Sequence, residues 1–112
     1  MTSKDGFPQP DSCVSVYVNV WRWTRCIMVS VCDEELLGRV LREGKIVFEI
    51  SEKFYKGSRM TLEEAVAELK NCTIANLVGK NIVDAAIKEK LVHPEAVIRI
   101  AGVPHAQIVR IQ

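Results

Sequence analysis

Residues 14–31 read VSVYVNVWRWTRCIMVSV, and their alternation decides the fold. Val14, Val16, Val18 and Val20 point to one side of an extended chain, while Ser15, Tyr17, Asn19 and Trp21 point to the other. Beyond Arg22-Trp23-Thr24-Arg25, the residues Ile27, Val29 and Val31 resume the aliphatic set against Cys26, Met28, Ser30 and Cys32. Period-two alternation in β-branched residues marks strands with one buried face. Folding the two runs about Trp23-Thr24 brings all seven aliphatics onto one face. A one-residue slip would scatter them, so the stretch predicts a β-hairpin whose register is set to within two residues. Cys13 and Cys32 then share the opposite face, directly across or one diagonal step apart.

Outward from the hairpin, Asp33 can N-cap a helix with Glu34 and Glu35 at its positive end and Arg39 and Arg42 at its negative end. Leu36, Leu37, Val40 and Leu41 form its apolar stripe, and Gly44 ends it. Ile46, Phe48 and Ile50 predict a third strand, followed by a short turn over 51–57 that tucks in Phe54. Thr61 with Glu64 is a capping box opening a helix faced by Leu62, Ala65, Val66 and Leu69. From Thr73 two readings compete. A long helix fits Ile74/Ala75, Val78/Gly79, Ile82/Val83 and Ala86/Ile87 and is preferred. The rival makes 73–78 a strand and Gly79 a strand-to-helix turn. His93-Pro94 closes the helical region, and 96–101 and 107–111 predict two more strands joined through Gly102-Val103-Pro104-His105. The sum is an α/β domain of the α+β type. Its two layers are a mixed, mainly antiparallel sheet of about five strands and about three helices.

With 112 residues the chain has room for one core, assigned to 13–112 behind a flexible leader, 1–12. Fifteen basic and 14 acidic residues leave a net charge of +1, which excludes a protein that coats nucleic acid by counterion release and restricts RNA contact to a discrete site. The leader has no apolar run to serve as a secretory signal, and no stretch reaches the roughly 20 apolar residues of a membrane span, so the expected location is the cytoplasm. The four cysteines and His93 and His105 make no zinc spacing, and neither metal nor cofactor is expected. A Cys13–Cys32 disulfide is open only to a hyperthermophile's intracellular protein.

The stretches Cys32-Asp33-Glu34-Glu35-Leu36-Leu37-Gly38 and Gly102-Val103-Pro104-His105-Ala106-Gln107, with 73–79 and the Phe54-Tyr55 pair, carry a resemblance. The chain resembles the archaeal proteins grouped as domain of unknown function 424, in order, over nearly all of 14–109. The resemblance implies an archaeal source and a compact α/β domain, and implies no activity. At the tip Arg22-Trp23-Thr24-Arg25 the chain departs from the family pattern, which has a plainer polar or Gly-containing turn there.

Three places can carry chemistry. At the tip, Trp23 between Arg22 and Arg25 can stack on a nucleobase, or it can fold back over Tyr17, Trp21 and Met28, which is the preferred reading. That outer face is too apolar for open solvent; the domain's own helices, or a second copy in a homodimer, would cover it. His105, expected on a loop tip after Pro104, is the candidate for catalysis or anion binding. Asn76, Lys80, Pro104 and Gln107 complete a candidate ligand site, although Gly79-Lys80-Asn81 lacks the glycine spacing of a phosphate loop. No nucleophilic triad is present. The leading expectation is a non-enzymatic module bound to RNA or the translation machinery; the alternative is a small enzyme or ligand-binding protein centred on the 102–105 loop.

Overall fold

The computed structural model describes residues 14–110. The hairpin forms as expected on its faces: β1 (Ser15–Trp23) pairs antiparallel with β2 (Cys26–Asp33). Val18 lies opposite Val31 and Val20 opposite Val29, and all seven aliphatics join one core cluster. The turn is Thr24-Arg25 rather than Trp23-Thr24, with Trp23 paired to Cys26, so the register is two residues from the one the alternation suggests. Alternation cannot distinguish the two, because a two-residue shift leaves every side chain on its own face. The leader and Cys13 lie outside the described residues; Cys32 stands opposite Tyr17.

Residues 34–43 correct the sequence reading. Only one 3-10 turn, Glu34–Leu36, follows Asp33, and in place of the expected helix β3 (Val40–Glu43) forms a hairpin with β4 (Ile46–Glu49), which is the third strand the sequence predicts. Gly38 and Gly44 both take positive φ, 86° and 59°, which breaks a helix at its middle and turns a hairpin at its end. Helix α1 (Glu52–Tyr55) is capped by Ser51, and β5 (Ser58–Thr61) adds to β1. The predicted capping box opens α2 (Leu62–Leu69), with Thr61 Oγ1 accepting from Glu64 N–H and Glu64 Oε1 accepting from Thr61 N–H.

The preferred long helix from Thr73 is also overturned. Residues Ile74–Val78 form β6, and Gly79 leads into α3 (Lys80–Lys88). Strand β6 runs parallel to β2 and antiparallel to β8, so it is hydrogen-bonded on both sides in the sheet interior, and that pairing outweighs the local helical period. After a 3-10 turn at Pro94–Ala96, β7 (Ile98–Ile100) and β8 (Val103–Val109) close the sheet in the order β5-β1-β2-β6-β8-β7. Among the described residues eight strands and three α-helices therefore stand where about five and three were expected, in the same mixed, mainly antiparallel α+β class.

The inner face of the sheet packs against α2 and α3, with Val16, Val18, Val29, Val31, Ala75 and Leu77 meeting Leu62, Leu69, Ile82 and Val83. On the outer face Leu41, Ile50 and Tyr55 form a second cluster with Cys32, Val78 and Ile100, so the β3–β4 hairpin and α1 roof part of the sheet.

The β7–β8 turn is Ala101-Gly102, with φ of 52° and 81°. Two successive positive φ values suit the right-handed twist of a two-residue hairpin, yet alanine is strained there. Replacing Ala101→Gly is expected to stabilise the protein by about 0.5 kcal/mol, the relief of left-handed strain exceeding the added unfolded-state entropy. Urea denaturation would show an unchanged slope and a raised midpoint; a lowered midpoint would mean that the strain is absent.

Candidate functional site

Three of the five residues proposed for the ligand site meet on the outer face. Asn76 lies opposite Gln107, and His105 is two residues from Gln107 on the same face, a step of about 7 Å. Register places Asn19, Ser30, Asn76 and Gln107 in one row across β1, β2, β6 and β8. Tyr17, Cys32, Val78, His105 and Ile98 form the next row. The polar row is thus built by strands distant in sequence.

Where the roof ends, a pocket of about 590 Å³ opens, lined by Asn76, Gln107, His105, Phe48 and Tyr55 with aliphatic walls including Ile98 and Ile100. This size lies within the roughly 300–1,000 Å³ range of small-molecule sites. Among the described residues no Asp, Glu, Lys or Arg lines it. Gln107 Nε2 donates to Asn76 Oδ1 at 2.9 Å. At the closed end of the polar row, Asn19 Nδ2 donates to the carbonyls of Phe54 and Lys53, tying α1 down. Trp21 stacks at 5.1 Å on Phe54, which in turn meets Tyr55 at 5.0 Å, so α1 covers part of the outer face of the first hairpin.

His105 corrects the sequence reading: it is a strand residue, 7% exposed, not a loop tip. The loop shrinks to Ala101-Gly102 because Val103 and Pro104 enter β8. Its imidazole meets the Phe48 ring edge-on at 4.7 Å, and Nε2 is buried without a hydrogen-bond partner. Burial lowers its pKa from the ordinary 6.5, holding the ring neutral. Histidine NMR titration should therefore find the His105 midpoint below 6.5; a midpoint above it would require an anionic neighbour that the pocket does not supply. Ser30 Oγ is the other buried side-chain polar atom without a partner among the described residues. Both orphaned atoms belong to the outer face and flank the Asn76–Gln107 pair, where buried polar groups ordinarily find partners.

Pro104 and Lys80 are not brought to this pocket. Pro104 is buried, pairs with Arg99, and its carbonyl accepts from Gly79 N–H at 2.9 Å. Lys80 is exposed on α3, 3.5 Å from Asp84. Asn76 sits within β6, not at a helix start. The sequence reading missed Phe48 and Tyr55, because they reach the site only through the unforeseen β3–β4 pairing and α1.

Asp33 also takes a different task. It caps no helix of its own; its carboxylate accepts from Asn81 N–H at 2.8 Å and Ile82 N–H at 3.0 Å, capping α3 from the end of β2. Burial, with Glu35 and Asp84 adding to it, raises its pKa to about 6 against the pull of those two hydrogen bonds. Cys32 is fully buried and its thiol pushed up to about 12 by burial, then by Asp33 and Glu35, so it is no nucleophile at neutral pH.

The hairpin tip is open. Trp23 is 57% exposed instead of folding back, and Arg22 and Arg25 are exposed beside it, Arg22 lying 3.8 Å from Glu68. Between α2 and α3 a second depression of about 400 Å³ is rimmed by Glu63, Lys70, Asp84 and Lys88 and holds neither orphaned atom. Among the described residues no group of His, Cys, Asp and Glu is arranged to hold a metal ion, and no helix is long and apolar enough to cross a membrane.

Comparison with known proteins adds two likenesses. Residues 23–111 match the model of a family described as "Protein of unknown function (DUF424)". Among solved structures, an uncharacterized conserved protein from Methanopyrus kandleri is similar, with a TM-score of 0.70 and 26% identity, over 88% of this chain and 95% of that one. No curated protein matches the chain.

Proposed function

The chain belongs to the family described as protein of unknown function DUF424, and within that family we propose that it is an archaeal, non-enzymatic binding module whose site is the outer-face pocket. The observation that carries this reading is the convergence of Asn76, Gln107 and neutral, unpartnered His105 on one uncharged concavity. A hydrogen-bonding site with apolar walls selects a ligand portion that is itself uncharged, because an ion entering it would lose hydration and gain no counter-charge. Binding fits better than catalysis. The titratable side chains lining the pocket, His105 and Tyr55, are both held neutral by burial, with Tyr55 raised to about 12, and no carboxylate lies among the lining residues to orient or relay a proton.

The test is a screen of uncharged, ring-containing fragments against isotope-labelled full-length protein by NMR. Shifts should cluster on Asn76, Gln107, His105 and Phe48 and weaken in Gln107→Leu. Clustering on the tip or the α2–α3 depression, with none in the pocket, would overturn the reading.

A second reading is favoured by one observation, the exposed Trp23 between Arg22 and Arg25: the tip contacts RNA or a ribosome-associated component in the cytoplasm. Crosslinking in native lysate with Trp23→Ala as control would recover RNA dependent on the indole. Recovery unchanged by the substitution would remove the tip from this role.

A further inference from the structure

We infer that the pocket reads the hydrogen-bonding edge of a nucleobase, a specificity that rests on the binding-module reading and extends it. The inference starts from the Asn76–Gln107 pair. Each primary amide carries one carbonyl and one amino group, and the bond between them uses one hydrogen and one lone pair. Exchanging oxygen and nitrogen on both residues reverses that bond but leaves the same unused groups. Either way one amino group and one carbonyl of the pair are left free to donate to and accept from a ligand. The complementary ligand edge has an adjacent acceptor and donor in one plane, which is the arrangement on the pairing edge of every nucleobase.

The surroundings narrow the class. Phe48, Tyr55 and His105 bring three aromatic rings to the pocket, and Val78, Ile98 and Ile100 supply aliphatic wall. A flat, mostly apolar ring with one polar edge suits those walls. A sugar, which needs hydroxyl partners on many sides, would leave most of its groups unpaired. Among the described residues no cationic side chain lines the pocket, so a phosphate attached to the ligand is expected to remain outside it. Recognition then rests on the base, whether it arrives as a free nucleoside or as an unpaired residue of RNA. His105 Nε2, buried and unpartnered, is available as a further contact one row from the amide pair.

The experiment uses the full-length labelled protein with uridine, adenosine and 3-methyluridine, whose edge donor is blocked by a methyl group. Uridine or adenosine should bind saturably and shift the Asn76 and Gln107 side-chain amide signals. Binding of 3-methyluridine should be weaker than that of uridine by about tenfold or more, as should binding of uridine to Asn76→Leu. A short oligouridylate distinguishes the sources: tighter binding than uridine supports edge recognition within RNA, and equal binding supports it for the free nucleoside. Equal affinity for uridine and 3-methyluridine would overturn the inference. So would silence from every nucleoside, and there the fragment screen decides how much falls. Pocket hits by fragments without such an edge would leave the binding-module reading standing, and their absence would remove both. Circular dichroism of Asn76→Leu and binding by Gln107→Leu keep the result from being a folding failure of one variant.

Discussion

Replacing Gly79→Ala is expected to lower stability by on the order of 3 kcal/mol or more. Gly79 joins β6 to α3 at φ 123° and ψ 150°, a region of backbone space essentially reserved for glycine. A Cβ there would fall onto Asp33 Cγ and 2.6 Å from Asp33 Oδ2. The two costs add. Forcing the backbone is worth about 1–3 kcal/mol, and displacing the buried carboxylate breaks its hydrogen bonds to Asn81 and Ile82 as well. The reason for this crowding is chemical. As the N-cap of α3, glycine has no side-chain oxygen, so Asp33 reaches from the adjacent parallel strand to accept from the second and third amides of the helix. Thermal unfolding should show a drop of roughly 12 °C or more for a domain of this size, and a drop below about 3 °C would mean that the junction has room to relax.

Asp33 carries the second large effect, read as a dependence on pH. Its pKa rises from 3.8 to about 6 on folding, so the folded protein holds a proton that the unfolded chain has released between those values. For an acid shifted upward, the stabilising contribution is complete below the unfolded pKa and is lost as pH rises through the folded one. The size is about 3 kcal/mol across pH 4 to 7. Asp33→Asn removes the titration while keeping the shape and one carbonyl acceptor. Its stability relative to the native protein should therefore rise by on the order of 2–3 kcal/mol between pH 4 and pH 7, measured by urea denaturation at each pH. A constant difference, or one that falls with pH, would show instead that the helix-end amides hold the carboxylate ionised.

What could be read in the sequence follows from where each structural decision is made. The faces of the first hairpin and the Thr61–Glu64 capping box are fixed by residues a few positions apart, and both form as read. Residues 40–41 and 74–78 are apolar runs too short for their period to decide between helix and strand. Their outcome depends on β4 in the first case and on β2 and β8 in the second. Gly38 and Gly79 are the local signs against helix, and both take positive φ, whereas Gly44 suits a helix end and a hairpin turn equally.

The site was legible as a set of residue names and illegible as a place. Asn76, His105 and Gln107 belong together because β6 and β8 are neighbours, which also removes Lys80 and Pro104 from the group. Val103-Pro104 reads as a turn in the sequence, which places His105 in solvent. The turn is completed earlier by Ala101-Gly102, and proline is accommodated in β8 just past the end of β6, where its carbonyl accepts from Gly79 N–H and no strand residue needs its missing donor. Asp33 was recognised as a helix cap but assigned to the helix next in sequence instead of the one next in space.

The central claim is that the outer-face pocket is the binding site, and the most direct measurement is a crystallographic soak of uncharged ring fragments, nucleosides included. Density for a bound ring within hydrogen-bonding distance of Asn76 or Gln107, beside Phe48 and His105, is the predicted result. Fragments that collect elsewhere on the molecule, with this pocket holding only solvent across the whole set, would contradict it.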